Sequence, residues 1–412
     1  MKPAVAAGLR PRVGRRLGLA LSVAAVCPLL VALASRIVYS LRYVDTDFFT
    51  FWLAAHLNAS GQSPYSPEAW AAAHRFYQST WLSNAIFPYP LPLATLLTPL
   101  GWLPLDRAYV VWVAASMVLI AAAGFLPLIQ RGSARVKHYI VPVAAGLLLF
   151  RPLWATLTEG QLGGLWVFVL ALAACLWADE RWVAGGVLIA FVALKPTLGV
   201  PLLGMVGLWL IASRRWRALL GIAVSGGLMA LTGFVLDRGW VGKFLGAGQA
   251  KLAETFGHSP SLWGMAGALC QHNAGCTVWL GGLLAGGLAL AVCAALLLAP
   301  GRFAAPEAIG LSIVVTLLIT PYIWAYDQIL LVLPIVLVTA HLMRTGAPYL
   351  AGALFFLAVD VGALVLLLLA VQTQADAWSG LVPAAVGLAV WWSIAAARRA
   401  PSITPAAVAH PA

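Results

Sequence analysis

Charged side chains are scarce in this chain. Lys, Arg, Asp and Glu together make up 9% of its 412 residues, where a soluble domain carries about 25%, so a fold wetted over most of its surface is excluded. Acids are the scarcer sign, 13 against 25 bases, which leaves few carboxylates for metal or acid–base chemistry. Five cysteines exclude the disulfide-framework class, and seven scattered histidines give no metal-ligand spacing. The alternation of a membrane β-barrel strand is missing. So are a glycine-rich phosphate loop, G-x-S-x-G, H-E-x-x-H and C-x-x-C, and with them the usual grounds for expecting nucleotide binding, serine or zinc hydrolysis, or dithiol redox chemistry.

Long apolar runs are what the chain has. Hydrophobic residues make up 62% of it, and the mean hydropathy is +0.93. The runs recur from Leu17 to Ala397, which predicts an all-α, polytopic transmembrane bundle of about twelve spans of ~20 residues. They fall near 17–38, 108–129, 138–157, 162–178, 182–198, 199–213, 217–236, 276–299, 307–323, 328–344, 349–371 and 379–397. The Pro-rich stretch from Phe87 to Pro104 reads as either a short span or a re-entrant segment.

The net charge of +12 is then a topological signal, with no nucleic-acid partner expected. Lys2, Arg10, Arg12, Arg15 and Arg16 precede the first run and place the N-terminus in the cytoplasm; a cleavable signal peptide around Arg15-Arg16-Leu17 is the alternative. If Phe87–Pro104 does not cross, Arg131, Arg135 and Lys137, then Arg214, Arg215 and Arg217, then Arg302, Arg344, Arg398 and Arg399 all fall on the same cytoplasmic side. The expected organisation is a basic cytoplasmic N-terminus, 1–16; a membrane-embedded core, 17–345, with external loops 40–86 and 237–275; C-terminal transmembrane helices, 346–397; and a cytoplasmic tail, 398–412. That describes a multi-pass protein of the cell inner (plasma) membrane. No internal repeat is visible, which speaks against a repeat-built transporter.

The external loops hold most of the polar chemistry. The first reads as an amphipathic helix over Asp47–Ala59, a Gly61-Gln-Ser-Pro-Tyr65 turn, and a second helix over Pro67–Tyr77 with proline at its start. Trp52, Trp70, Phe76, Tyr77 and Trp81 predict interfacial helices at headgroup level. Asp47 has two readings, a carboxylate able to take a proton from a hydroxyl or a helix cap. With Asp45 it spells D-x-D, yet two acids are too few for a metal site. Glu159-Gly160-Gln161 sits at an outer boundary. Lys195-Pro196 interrupts an apolar stretch and is either a snorkelling turn or an anion site. Arg151 neutralises a carboxylate or stays wet at a helix break, and Asp327 follows Trp324 at another outer boundary. Asp360 lies inside a span with no partner evident in the sequence. Cys270 and Cys276 flank a polar turn in an oxidising compartment, which predicts a disulfide, with two free thiols as the alternative.

Several of these segments, taken in order, resemble glycosyltransferase family 87: Asp47-Phe-Phe-Thr-Phe-Trp-Leu-Ala-Ala55, Gly61-Gln-Ser-Pro-Tyr65, Phe87-Pro-Tyr-Pro, Gly160-Gln161, Ala193-Leu-Lys-Pro196 and Thr320-Pro-Tyr-Ile-Trp324. The likeness extends over roughly residues 15 to 345. It implies a C-type integral-membrane glycosyltransferase fold, with a polyprenyl-phosphate-linked sugar as donor and a glycolipid or glycan as acceptor. Membrane lipids are the remaining partners, and no cofactor and no metal are expected. It implies that Asp47 is the catalytic base of an inverting transfer and that Lys195, with Arg42 or Arg151, steadies the leaving phosphate. Further candidates for donor-phosphate or substrate contact are Gln161, Glu159, Tyr65, Tyr89, Trp324, Asp327 and His258. Mannose-transferring members often carry histidines after Pro-x-x-Trp, where this chain has Ala325-Tyr326-Asp327, so the sugar is left as mannose or another hexose or pentose. The reading from a different class is a transporter or flippase of a lipid-linked or small solute; a membrane scaffold is the third.

Overall fold

A computed structural model describes residues 26–80, 86–130, 136–255, 258–345, 349–373 and 376–399. The basic segment from Lys2 to Arg16, the start of the first expected span, Trp81, Arg131, Arg135 and the tail from 400 onward lie outside the described residues. Among the described residues every regular element is helical. In chain order they are α1 (Val26–Tyr39), α2 (Asp47–Ala59), α3 (Pro67–Tyr77), α4 (Leu91–Gly101), α5 (Leu105–Gln130), α6 (Val136–Leu149), α7 (Arg151–Thr158), α8 (Gly163–Ala178) and α9 (Trp182–Ile189). There follow α10 (Pro196–Ala212), α11 (Trp216–Leu236), α12 (Trp240–Thr255), α13 (Leu262–Leu269), α14 (Ala274–Leu298), α15 (Ala305–Ile319), α16 (Val332–Arg344), α17 (Tyr349–Thr373) and α18 (Leu381–Arg399).

Among the described residues six helical segments are long and apolar enough to cross a membrane, and seven if the bent pair Tyr139–Leu149 and Arg151–Thr158 counts as one span. The protein is therefore a multi-pass membrane protein. Six further apolar helices have only 10–17 residues; α8, with 16 residues, spans about 24 Å at ~1.5 Å per residue, short of a hydrocarbon core of about 30 Å. Helix α4 has 11 residues and reaches about 16 Å, so the Pro-rich segment does not by itself form a full span.

The expected continuous run 138–157 is broken at Phe150, with the two halves bent by 56°. Pro152 supplies the reason, since it has no N–H to give the carbonyl of Leu148 four residues back and its ring crowds that carbonyl. The boundary expected between 198 and 199 falls instead at Lys195, where Pro196 opens α10 at its first position. The stretch 237–275, read as a loop, carries α12 and α13. Cys270 and Cys276 are disulfide-bonded with Cα atoms 5.7 Å apart, closing the turn between α13 and α14.

The described chain forms two compact units. One gathers the residues up to Ile86 with Ala94–Val118 and Leu157–Gln161. Its centre is α2, which is buried along almost its whole length, from Phe48 to Ala55 and at Leu57. The amphipathic, interfacial pattern expected for Asp47–Ala59 is therefore corrected: apolar side chains cover every face, and each face has a neighbour. Phe48 stacks on Tyr109 with ring centroids 4.4 Å apart, Phe49 meets the edges of His74 and Tyr77, and Trp52 Nε1 donates to Leu103 O at 3.0 Å. Helix α3 is the amphipathic one, burying Trp70 and His74. Proline stands at its start, Ser66 Oγ accepts from the Ala69 N–H, and Gln78 ends it in the left-handed region.

The other unit comprises Phe87–Leu93, Leu119–Thr156 and the described residues from Leu162 onward. Its interior is the segment Ala325–Met343, 89% of which is buried, whereas α11 is only 17% buried and presents Leu220, Leu228 and Leu231 outward. Helix α15 is buried from Ala305 to Leu318, apart from Glu307.

A Cβ on Gly101 would lie 2.5 Å from the Ala55 carbonyl carbon, whereas one on Gly204 in α10 meets nothing within 4 Å. Gly101→Ala is expected to destabilise by about 1–3 kcal/mol through backbone displacement. Gly204→Ala is expected to be neutral or stabilising by up to about 1 kcal/mol. Thermal unfolding of the two variants in one detergent checks the contrast; equal midpoints would contradict the α2–α4 packing.

Candidate active site

Helix α2 starts without a side-chain cap. Thr46, the residue before it, is extended and spends its hydroxyl on Tyr43 O at 2.9 Å. The orphan donors of the first turn are met from elsewhere in the same unit, by the turn Thr158–Gln161. The Phe48 N–H donates to Glu159 O at 2.9 Å, and the Asp47 N–H donates to the Glu159 carboxyl. That turn is itself clamped by α5: Tyr109 Oη donates to Thr158 O at 2.6 Å and Trp112 Nε1 to Gly160 O at 2.9 Å. Gly160 has φ +62°, and a Cβ there would sit 2.5 Å from Phe48 Cβ. Glycine is required twice over, by conformation and by space.

This arrangement aims Asp47 and holds it. Its Oδ2 accepts from the Gln161 amide, its backbone is pinned as described, and the side chain is half-buried, leaving it reachable. Glu159 differs in environment. Its Oε2 is fully buried with no hydrogen-bond partner among the described residues, and burial, then the Asp47 charge, pushes its carboxyl up to about 7. Gln161 Oε1 is likewise buried without a partner. One centre therefore combines a fixed, accessible carboxylate with a second one that holds its proton into the neutral range.

Asp45 belongs to a different arrangement. Its carboxylate accepts from Ser79 Oγ at 2.9 Å and from Thr80 N at 2.8 Å, and it pairs with Arg42 Nε at 2.9 Å. Burial raises its carboxyl, but these donors and the guanidinium outweigh it and hold the group below the usual carboxylate range. Arg42 also donates to Gln78 O at 2.7 Å. The two residues fasten the start of the first loop to the end of α3, so D-x-D is divided between two tasks. Tyr65 lies half-buried in the turn between α2 and α3.

A second polar centre lies within the other unit. Lys195 Nζ meets Asp327 Oδ1 at 2.5 Å, with side chains 3% and 2% exposed. Asp327 Oδ2 accepts from the Trp324 N–H at 3.1 Å. The ammonium stands 5.2 Å from the Tyr326 ring centroid, and Thr156 Oγ1 donates to Tyr326 O at 3.1 Å. Lys195 stands at the α10 break, and the next residues, Pro196 and Thr197, line an apolar groove of about 480 Å³ with Tyr89, Phe244, Leu245 and Tyr322.

Arg151, at the α6–α7 break, is bidentate to Asp376 at 3.1 and 3.3 Å and also donates to Ser379 Oγ. His258 is exposed and stacks on His272, with centroids 4.8 Å apart. Asp360 is buried in α17 with neither oxygen bonded among the described residues. Sequence reading missed Tyr109, Trp112, Asp376 and the groove-lining face of α12. Tyr109 and Trp112 are three residues apart on an apolar helix, a pattern that reads as packing, and nothing local marks Asp376 as the partner of Arg151.

The apolar helices and the carboxylate centre define the class, a helical multi-pass membrane protein with two carboxyls brought together at a turn between helices. The family model of glycosyltransferase family 87 matches residues 87–321. That is more than half of the chain, which belongs to this family and is a membrane glycosyltransferase. Neither a search of the curated proteins nor one of the solved structures gives a match. The matched region contains Tyr89, Arg151, Glu159, Gln161, Lys195 and His258; Arg42, Asp47 and Tyr65 precede it, and Trp324 and Asp327 follow it.

The buried pair gives a test. Lys195→Met leaves Asp327 without its cation, at an expected cost of about 3–5 kcal/mol. Adding Asp327→Asn should recover much of that, because the uncompensated charge goes with it. Thermal unfolding of wild type, single and double variants decides: a single variant as stable as wild type would rule out the ion pair.

Proposed function

We propose that the protein is an inverting glycosyltransferase of the C-type superfamily, moving mannose or another hexose or pentose from a polyprenyl-phosphate donor to a hydroxyl of a glycolipid or glycan. The observation that carries this reading is Asp47, accessible and oriented by Gln161 at a helix N-terminus pinned to the Glu159–Gly160 turn. In the proposed reaction the acceptor oxygen bonds to the anomeric carbon. The carbon–oxygen bond to the phosphate breaks, its electron pair leaving with the lipid phosphate, and the hydroxyl proton passes to Asp47. Family membership supplies the sugar donor and the acceptor as classes, and the apolar groove beside Pro196 and Thr197 supports a lipid tail on the donor. Negative charge grows on the phosphate, so a fixed cation lowers the barrier. We assign that role to Lys195, which stands at the α10 break beside the groove, with Arg42 and Arg151 as the alternatives; all three cations are paired with a carboxylate, Asp327, Asp45 and Asp376.

The reading includes about twelve crossings, counting helices that are short for a core of ~30 Å, a catalytic core over 17–345, and loops 40–86 and 237–275 outside the cytoplasm. Engineered cysteines check the sidedness. An impermeant reagent applied from outside should label a cysteine at Ser63 and spare one at Arg214, and the reverse pattern would invert the topology.

Asp47→Asn keeps the size of the side chain and loses the proton acceptor. Turnover with a polyprenyl-phosphate sugar should fall at least ~100-fold while expression and thermal stability stay near wild type. Val200→Trp, which fills the groove, should raise KM for the lipid donor with little effect on acceptor KM. Near-normal turnover by Asp47→Asn would remove it from the role of base, and solute uptake without sugar transfer in liposomes would favour the transporter reading. Mass spectrometry of envelope glycolipids with and without the gene names the sugar and the acceptor.

A further inference from the structure

Glu159 is the acid whose environment is hardest to explain as packing alone. A carboxyl that only completed the α2 cap would need one acceptor oxygen, and an amide would serve there. Instead a carboxylic acid stands with one oxygen toward the Asp47 N–H and the other buried without a partner among the described residues. The surrounding turn has no slack, being fixed by Tyr109, Trp112 and the close approach of Gly160 to Phe48. The ionisable groups facing Glu159 are Asp47 from α2 and Tyr109 from α5.

We propose that Glu159 is a positioning residue that sets the basicity of Asp47, the two carboxyls acting as a coupled pair across the α2 N-terminus. This rests on Asp47 being the base. The pair divides its task by environment: Asp47 is half-buried and receives the Gln161 amide, while Glu159 is the member whose burial favours the protonated form. Its ionisation near neutrality, where burial and the Asp47 charge place it at about 7, puts a second negative charge beside Asp47. That charge raises the affinity of Asp47 for the acceptor proton. The proton taken from the acceptor hydroxyl passes to a pair that bore two negative charges and now bears one, not to a lone carboxylate, and it returns to solvent after product leaves.

The expected signature is in the pH profile. Wild-type kcat should rise through a limb near pH 7, by at most about tenfold for each unit of added basicity in Asp47, since general-base rates follow a Brønsted slope below one. Glu159→Gln keeps an acceptor for the Asp47 N–H and loses the charge, so its profile should lack that limb and stay at the lower level. Glu159→Asp should restore a limb at a shifted midpoint. An unchanged limb in Glu159→Gln overturns the proposal and leaves Asp47 as base untouched. A readout without turnover covers the case in which Glu159→Gln does not fold: the infrared band of protonated carboxyl in full-length enzyme, titrated in wild type and Asp47→Asn. The Glu159 midpoint should fall when Asp47 is neutralised, and identical midpoints refute the coupling. Full activity of Asp47→Asn would instead strike the reading of Asp47 as base, whatever the titration shows.

Discussion

In a chain this apolar, a charge or a backbone amide that leaves water must have its partner supplied by the protein. The breaks in the helices are where this constraint is felt. At Phe150 the ladder is interrupted and Arg151 enters, and its guanidinium is taken up by Asp376 and Ser379. Where the short 3₁₀ segment Ala190–Leu194 ends, Lys195 enters and is neutralised by Asp327, which in turn accepts from the Trp324 N–H. Between α7 and α8 the turn carries Glu159 and Gln161, and its carbonyls are taken by Tyr109 and Trp112. Polar chemistry concentrates at these breaks because they are the places where backbone groups and charges can satisfy one another.

The same constraint explains what could be read from the sequence. Helix α3 is announced by a local signal, Ser66-Pro67, whose effect acts within one turn, whereas the spans near 182–198 and 199–213 misplace the start of α10 even though Lys195-Pro196 marks a break. Helix α2 keeps its expected bounds and loses its expected setting, because burial on every face is supplied by α3, by Leu103 and by the first half of α5, and local periodicity carries no record of them. The ion pairs are less legible still. Asp327 is 132 residues from Lys195 and Asp376 is 225 from Arg151, and the chain has no alternation or motif that would join them.

Asp45 and Asp47 show the limit most directly. Two positions apart and of one chemical type, they are indistinguishable by composition. In the fold, Asp45 is consumed by four contacts from Ser79, Thr80 and Arg42, while Asp47 stands in the first turn facing the Thr158–Gln161 turn. The resemblance to family 87 implies the role of base for Asp47, and the local geometry distinguishes the two acids by what each of them contacts.

The transfer we propose asks two opposite things of the protein, a proton acceptor where the acceptor hydroxyl loses its proton and positive potential where the phosphate leaves. Placing both on one flexible loop would let the carboxylate and the cation neutralise each other. Here each is fixed by its own partner. Asp47 is anchored by Gln161 and by a turn whose glycine cannot be replaced without moving Phe48, and Lys195 is anchored by Asp327 at 2.5 Å. An ammonium so tightly held has less charge to offer a phosphate than a free one, but it also has less freedom to lose on binding it. In the transfer we propose, Asp327 holds Lys195 in place in an apolar interior and sets how much of its positive charge a leaving phosphate can claim.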